Sequence, residues 1–134
     1  MKNVILLSTL MLLVFAGCSK DQKAVKILDG KWKLMKVNGT ALDADEVYTL
    51  EFSNCKLKKE EYCVLQIFYS LGGQSINLSA EYKVIDKGET LEMKVSSGGT
   101  TEIDRYKIKE LTKTKLVMEV TEGTSVYSEE YTKL

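Results

Sequence analysis

The chemistry open to this 134-residue chain rests on three cysteines and nineteen carboxylates, because it has no histidine. Without imidazole, neither a Ser-His-Asp nor a Cys-His nucleophile can be assembled, and histidine-ligated zinc or haem is ruled out. A pair of carboxylates could still act as acid and base in glycoside hydrolysis. The acidic residues do not gather in that way: Glu81, Glu92 and Glu119 alternate with apolar neighbours, which puts them on the solvent face of strands, and Lys58-Lys59-Glu60-Glu61 reads as a solvated loop. No catalytic residue, cofactor or metal ligand is assigned, and a nonenzymatic protein is expected. The remaining chemistry is thiol chemistry. Cys55 and Cys63 flank a charged segment that reads as a hairpin tip, and opposed cysteines on paired strands lie about 4.5 to 5.5 Å apart at Cα, within disulfide reach. Two thiolates without histidine or further cysteine make a poor zinc site, so a disulfide that fixes the hairpin register is expected.

The compartment follows from the first residues. Lys2 gives a positive start, and the run from Val4 to Phe15 is apolar except for Ser8 and Thr9. This is the pattern of a secretory signal peptide over residues 1–17, too short for the roughly twenty residues that cross a bilayer. An exported chain meets oxidising conditions, which favours the Cys55–Cys63 bond. The nineteen basic side chains balance the nineteen acidic ones, so the cationic excess that phosphate neutralisation requires is missing and no nucleic-acid partner is expected.

From Gly30 onward the apolar residues recur at period two, as in Ile76-x-Leu78-x-Ala80-x-Tyr82-x-Val84, Leu91-x-Met93-x-Val95 and Leu116-x-Met118-x-Val120. That period belongs to half-buried antiparallel strands. Glycine-bearing turns at Asn38-Gly39, Gly72-Gly73, Lys87-Gly88, Gly98-Gly99 and Glu122-Gly123 separate them. The punctuation predicts strands near 30–37, 47–57, 62–71, 75–85, 89–96, 100–109, 115–121 and 124–132. Short connections favour neighbours in sequence pairing in space, and closure removes the two edges. The expected fold is all-β, an eight-stranded antiparallel up-and-down barrel, with a sandwich as the alternative. Single helical turns are possible at Val25–Leu28 and Ala41–Glu46. The expected organisation is a signal peptide over 1–17, a flexible leader over 18–26 and the barrel over 27–134.

Two resemblances add to this reading. Ala16-Gly17-Cys18 after the apolar run resembles the lipobox of bacterial lipoproteins, with Phe15 where leucine is usual. The resemblance implies that Cys18 carries lipid, including palmitate, and becomes the mature N-terminus; two or more chains give a stable anchor. Ser19 after the cysteine implies the outer membrane, facing the periplasm or the cell surface. The Gly30-x-Trp32 pair opening an eight-strand meander resembles the first motif of lipocalins, and the Leu111-Thr112 turn before Leu116-Val117-Met118 adds to the likeness. The resemblance implies that Trp32 plugs the closed end of the barrel under a basic side chain. The lone arginine, Arg105, is one candidate for that cation; the other reading pairs it with Asp104 or Glu102 at the surface.

The expected function is binding. Either the barrel holds a small apolar molecule, lined by Leu34, Ile76, Leu78, Tyr82, Leu91, Met93, Val95, Leu116, Met118 and Val120, or a solid barrel binds a protein, for example as an inhibitor of lysozyme or a protease. In the second case Tyr62, Phe68, Tyr69, Tyr127 and Tyr131 are the candidate anchors. An internal void of a few hundred cubic ångströms would separate the two.

Overall fold

The computed structural model describes residues 19–53, 55 and 61–134. Cys18 and the expected signal peptide lie outside the described residues. The elements in chain order are α1 (Lys20–Leu28), β1 (Gly30–Val37), β2 (Thr40–Ala41), β3 (Glu46–Phe52), β4 (Cys63–Leu71), β5 (Gln74–Ile85), β6 (Thr90–Ser97), β7 (Thr100–Leu111), β8 (Lys115–Glu122) and β9 (Ser125–Lys133), with one 3₁₀ turn, Asp86–Gly88, between β5 and β6. From β3 to β9 each strand pairs antiparallel with the next, β1 pairs with β3, and β9 returns to β1. Eight strands therefore close into an up-and-down barrel. The two-residue β2 only extends the end of β1, through Lys36↔Ala41 and Val37↔Thr40.

Alternation sets the inside of the barrel, and the register stacks inward residues of neighbouring strands: Leu65↔Ala80, Tyr82↔Met93 and Leu116↔Tyr131 are all cross-strand partners. Bulges between Leu34 and Lys36 in β1 and between Ile108 and Glu110 in β7 each shift the phase by one residue. Val37 and Leu111 consequently rejoin the core beyond them. A bulge bends and twists its strand, which helps a short sheet curl closed.

The N-terminal segment departs from expectation. Residues 19–23, expected as a flexible leader, form the cap and first turn of a helix that runs to Leu28 instead of a single turn at Val25–Leu28. Ser19 and Gln22 make a reciprocal capping box, with Gln22 N donating to Ser19 Oγ at 3.2 Å and Ser19 N to Gln22 Oε1 at 3.0 Å. Ala24, Val25 and Leu28 form its buried face against the barrel. The helix is pinned at Gly88, whose N–H donates to Asp21 Oδ1 at 2.6 Å. Gly88 holds φ +84°, and a Cβ there would lie 3.1 Å from the Lys20 carbonyl oxygen, so this contact needs glycine. No helix forms over Ala41–Glu46, where β2 ends and a turn leads into β3. The third strand stops at Phe52, short of the expected 57, so Cys55 lies beyond the ladder.

Helix α1, the end of β3 at Phe52, the start of β4 at Cys63, the 3₁₀ turn and the β7–β8 turn share one end of the barrel. The β1–β2, β4–β5, β6–β7 and β8–β9 hairpins share the other. The first end is closed and the second is open.

Candidate functional site

The closed half is solid. Trp32, Leu50, Leu65, Tyr82, Leu91, Leu116 and Met118 have no solvent exposure, and Phe52 meets Tyr82 edge to face with centroids 4.9 Å apart. Trp32 Nε1 donates to the Leu28 carbonyl at 2.7 Å, tying the first strand to the helix beneath it. The cation over Trp32 is Lys133 from β9, with Nζ 5.2 Å from the ring centroid and 2.9 Å from the Ile27 carbonyl it donates to. Gly30, at φ +117°, leaves room for that side chain, since a Cβ would lie 3.0 Å from Lys133 Cε.

Arg105 is therefore not the cation at Trp32, nor is it paired with Asp104 or Glu102. It faces outward from β7 and its Nε donates to Glu92 Oε2 at 2.9 Å. Glu92 is on the outer face, as its alternation requires, yet only 4% exposed. Tyr62 covers it and donates its hydroxyl to Glu92 Oε1. Lys83 and Lys94 place their ammonium groups 4.7 and 4.1 Å from the Tyr62 ring centroid. The Tyr62 hydrogen bond, then those from Arg105 and the charge of Lys83, hold the Glu92 carboxyl below its ordinary value against the cost of burial. Cys55 and Cys63 are joined, with Cα atoms 5.7 Å apart. The disulfide ties Cys55 to the first residue of β4, where Cys63 shares the inward phase of its partner Tyr82, and the Tyr62–Glu92 contact fastens Tyr62 to the outer face of β6.

The open half is hollow. A cavity of about 280 Å³ lies between inward side chains of β3 to β7: Tyr48, Ile67, Tyr69, Ile76, Leu78, Met93, Val95, Asp104 and Tyr106. It opens beside Ile76 and Leu78, which remain 55% and 46% exposed. Tyr48 is central, its ring centroid 6.3 Å from that of Tyr69 and 6.4 Å from that of Tyr131. Tyr131 donates to Glu129 Oε2 at 2.8 Å. Burial pushes the Tyr48 hydroxyl up to about 12, and the Glu129 and Asp104 carboxylates add to it. The same causes, burial first, raise Tyr106 further. Glu129 itself is raised, mainly by desolvation and also by Glu122, although the Tyr131 hydrogen bond opposes this. The wall thus combines aliphatic surface, three tyrosine rings and the exposed Asp104 carboxylate; Glu129, bonded to Tyr131, is half-buried, and its position costs it hydration.

Of the ten positions expected to line a ligand site, Ile76, Leu78, Met93 and Val95 line this cavity. Leu34, Tyr82, Leu91, Leu116 and Met118 face inward but belong to the solid half. Val120, half-buried, borders a groove of about 730 Å³ along β6–β9 that shares Asp104 and Tyr106 with the cavity. Among the five aromatic residues considered as surface anchors, Tyr131 is 1% exposed in the core, Tyr69 faces the cavity and Tyr62 is covered by lysines. Phe68 lines a shallow outer depression with Val47 and Thr49, and Tyr127 is partly exposed near the rim. Tyr48, Tyr106, Asp104 and Glu129 are absent from the sequence-based set, although Tyr48 is in phase with Leu50 and Phe52, and Asp104 with Tyr106.

Among the described residues, no three Asp, Glu, Cys or His side chains are placed to hold a metal ion, and no helix is long and apolar enough to cross a membrane. Neither the family models nor the curated proteins compared with the chain match it.

Proposed function

We propose that this protein is a lipid-anchored binding protein of the cell envelope, held at the outer membrane, which takes one small molecule with an apolar body into the open half of its barrel. The observation that carries the reading is the 280 Å³ cavity, walled by Ile67, Ile76, Leu78, Met93 and Val95 with three tyrosines. A partly apolar concavity with a few convergent polar groups is the usual form of a small-molecule site. Its size fits a compact ligand and not an extended acyl chain. The competing reading, an inhibitor of lysozyme or a protease, needs exposed aromatic anchors, and Tyr131 and Tyr62 are already engaged within the protein.

The anchor is supported by the lipobox-like residues Ala16, Gly17 and Cys18. Helix α1 begins at Lys20 with Ser19 as its cap, and it lies on the closed end. A lipid on Cys18 would hold that end toward the bilayer with almost no slack, and the cavity would open away from it. Partition of the protein into detergent should vanish in Cys18→Ser; unchanged partition contradicts the anchor.

The binding claim is tested with the neutral fluorophore N-phenyl-1-naphthylamine. Its emission should rise to a one-to-one end point with the unmodified protein and stay low with Val95→Trp, which fills the cavity. Failure to bind, or binding that ignores Val95→Trp, overturns the reading.

A further inference from the structure

We propose that the cavity selects an organic cation, a ligand whose apolar body sits against the aliphatic wall while an ammonium-type head sits among Tyr48, Tyr69 and Tyr106. This rests on the binding reading above. The apolar wall alone would admit any hydrophobic molecule of the right size, so the selectivity must come from the polar part of the lining.

That part carries one sign. Asp104 lines the cavity, and Glu129, bonded to Tyr131, interacts electrostatically with both Tyr48 and Tyr106. Glu102 shares their inward phase, being the cross-strand partner of Val95. On the same strands the cations point the other way: Lys94 pairs with Glu81 and Arg105 with Glu92 on the outer face. Lys133, which packs under the barrel, sits at the closed end over Trp32. The cavity is therefore an anionic recess in a chain of zero net charge, and such a recess with low-dielectric walls concentrates positively charged ligands.

The tyrosines match the same charge. Aromatic faces attract cations through the ring quadrupole, more strongly where water is excluded. Tyr48 and Tyr69 pack against each other, centroids 6.3 Å apart and tilted by 59°, and both rings, with Tyr106, border the cavity. A carboxylate held in a half-buried site without a cation is a cost to the fold. A bound cation would offset it, whereas a neutral or anionic ligand would not.

The test compares isosteric probes that differ only in charge, phenyltrimethylammonium and tert-butylbenzene, each displacing N-phenyl-1-naphthylamine. The cation should bind about tenfold more tightly, as one cation–aromatic contact plus nearby carboxylates would give. Raising the salt concentration should shrink that advantage. In the double variant Asp104→Asn, Glu129→Gln the advantage, with each probe's affinity referred to the fluorophore's own affinity for that variant, should fall to within about twofold. Equal or tighter binding of tert-butylbenzene overturns the cation inference and leaves the cavity reading standing. So does an advantage that survives the double substitution. If the fluorophore itself fails to bind, both fall.

Discussion

At the level of single residues, the basic side chains have been allotted by strand position and not by chemical type. Arg105 has the planar guanidinium suited to stacking on indole, but β7 turns it outward to Glu92, and the more flexible Lys133 reaches Trp32 from β9. Lys133→Met should lower stability by about 1 to 2 kcal/mol in urea unfolding, since it removes both a cation–aromatic contact and a donor to the Ile27 carbonyl. It should also shift the Trp32 emission, while Arg105→Lys should leave that emission unchanged. Two carboxylates respond to pH in opposite senses. Glu92 is held below its ordinary value of 4.5 in the fold, so its contribution to stability is present above that value and is lost as pH falls through the lowered one. Glu92→Gln should therefore weaken the protein at neutral pH and flatten its acid unfolding curve. Glu129 is raised above 4.5, so its ionised form opposes folding at neutral pH. Glu129→Gln should have the higher Tm at pH 7, and the difference should close as pH falls toward the ordinary carboxylate range. A carboxylate kept where it weakens the fold is consistent with a binding role.

Among the elements, the eight barrel strands were legible because two local signals agree on them, period-two alternation and glycine at the turns. Helix α1 was less legible. Its first residues, Lys20-Asp21-Gln22-Lys23, are all polar, and the features that make them helical are a Ser19–Gln22 capping box and a docking contact with Gly88 far along the chain. The end of β3 is hidden from the sequence for a related reason. The strand-like composition continues to Leu57, but the chain leaves the ladder after Phe52, and Cys55 reaches Cys63 from outside it. The bond closes a loop of eight-residue separation, for which chain entropy gives about 2 to 3 kcal/mol. The double variant Cys55→Ser, Cys63→Ser should lose about that much in urea unfolding. Freed of the bond, Tyr62 should also leave Glu92 more accessible, seen as weaker protection of the β5–β6 amides in hydrogen exchange.

For the whole molecule, alternation tells which face a residue takes but not how high it stands along the barrel axis. Leu91 and Val95 share a strand and a face, yet Leu91 is sealed in the solid half and Val95 lines the cavity. Height is fixed by the register of strands distant in sequence and by the closing pair β1–β9, which no local pattern encodes. That is why half of the expected lining residues proved to be packed core. The inward carboxylates were hidden by the same limit, since a charged residue in a strand is ordinarily read as facing solvent. The central claim is the division of one barrel into a solid closed half and a hollow, ligand-taking open half. Backbone amide NMR during titration with N-phenyl-1-naphthylamine tests it most directly. Tyr48, Tyr69, Val95 and Tyr106 should shift together to a one-to-one end point while Leu28, Trp32 and Leu116 stay fixed; shifts confined to the outer face around Phe68, or none, would contradict it.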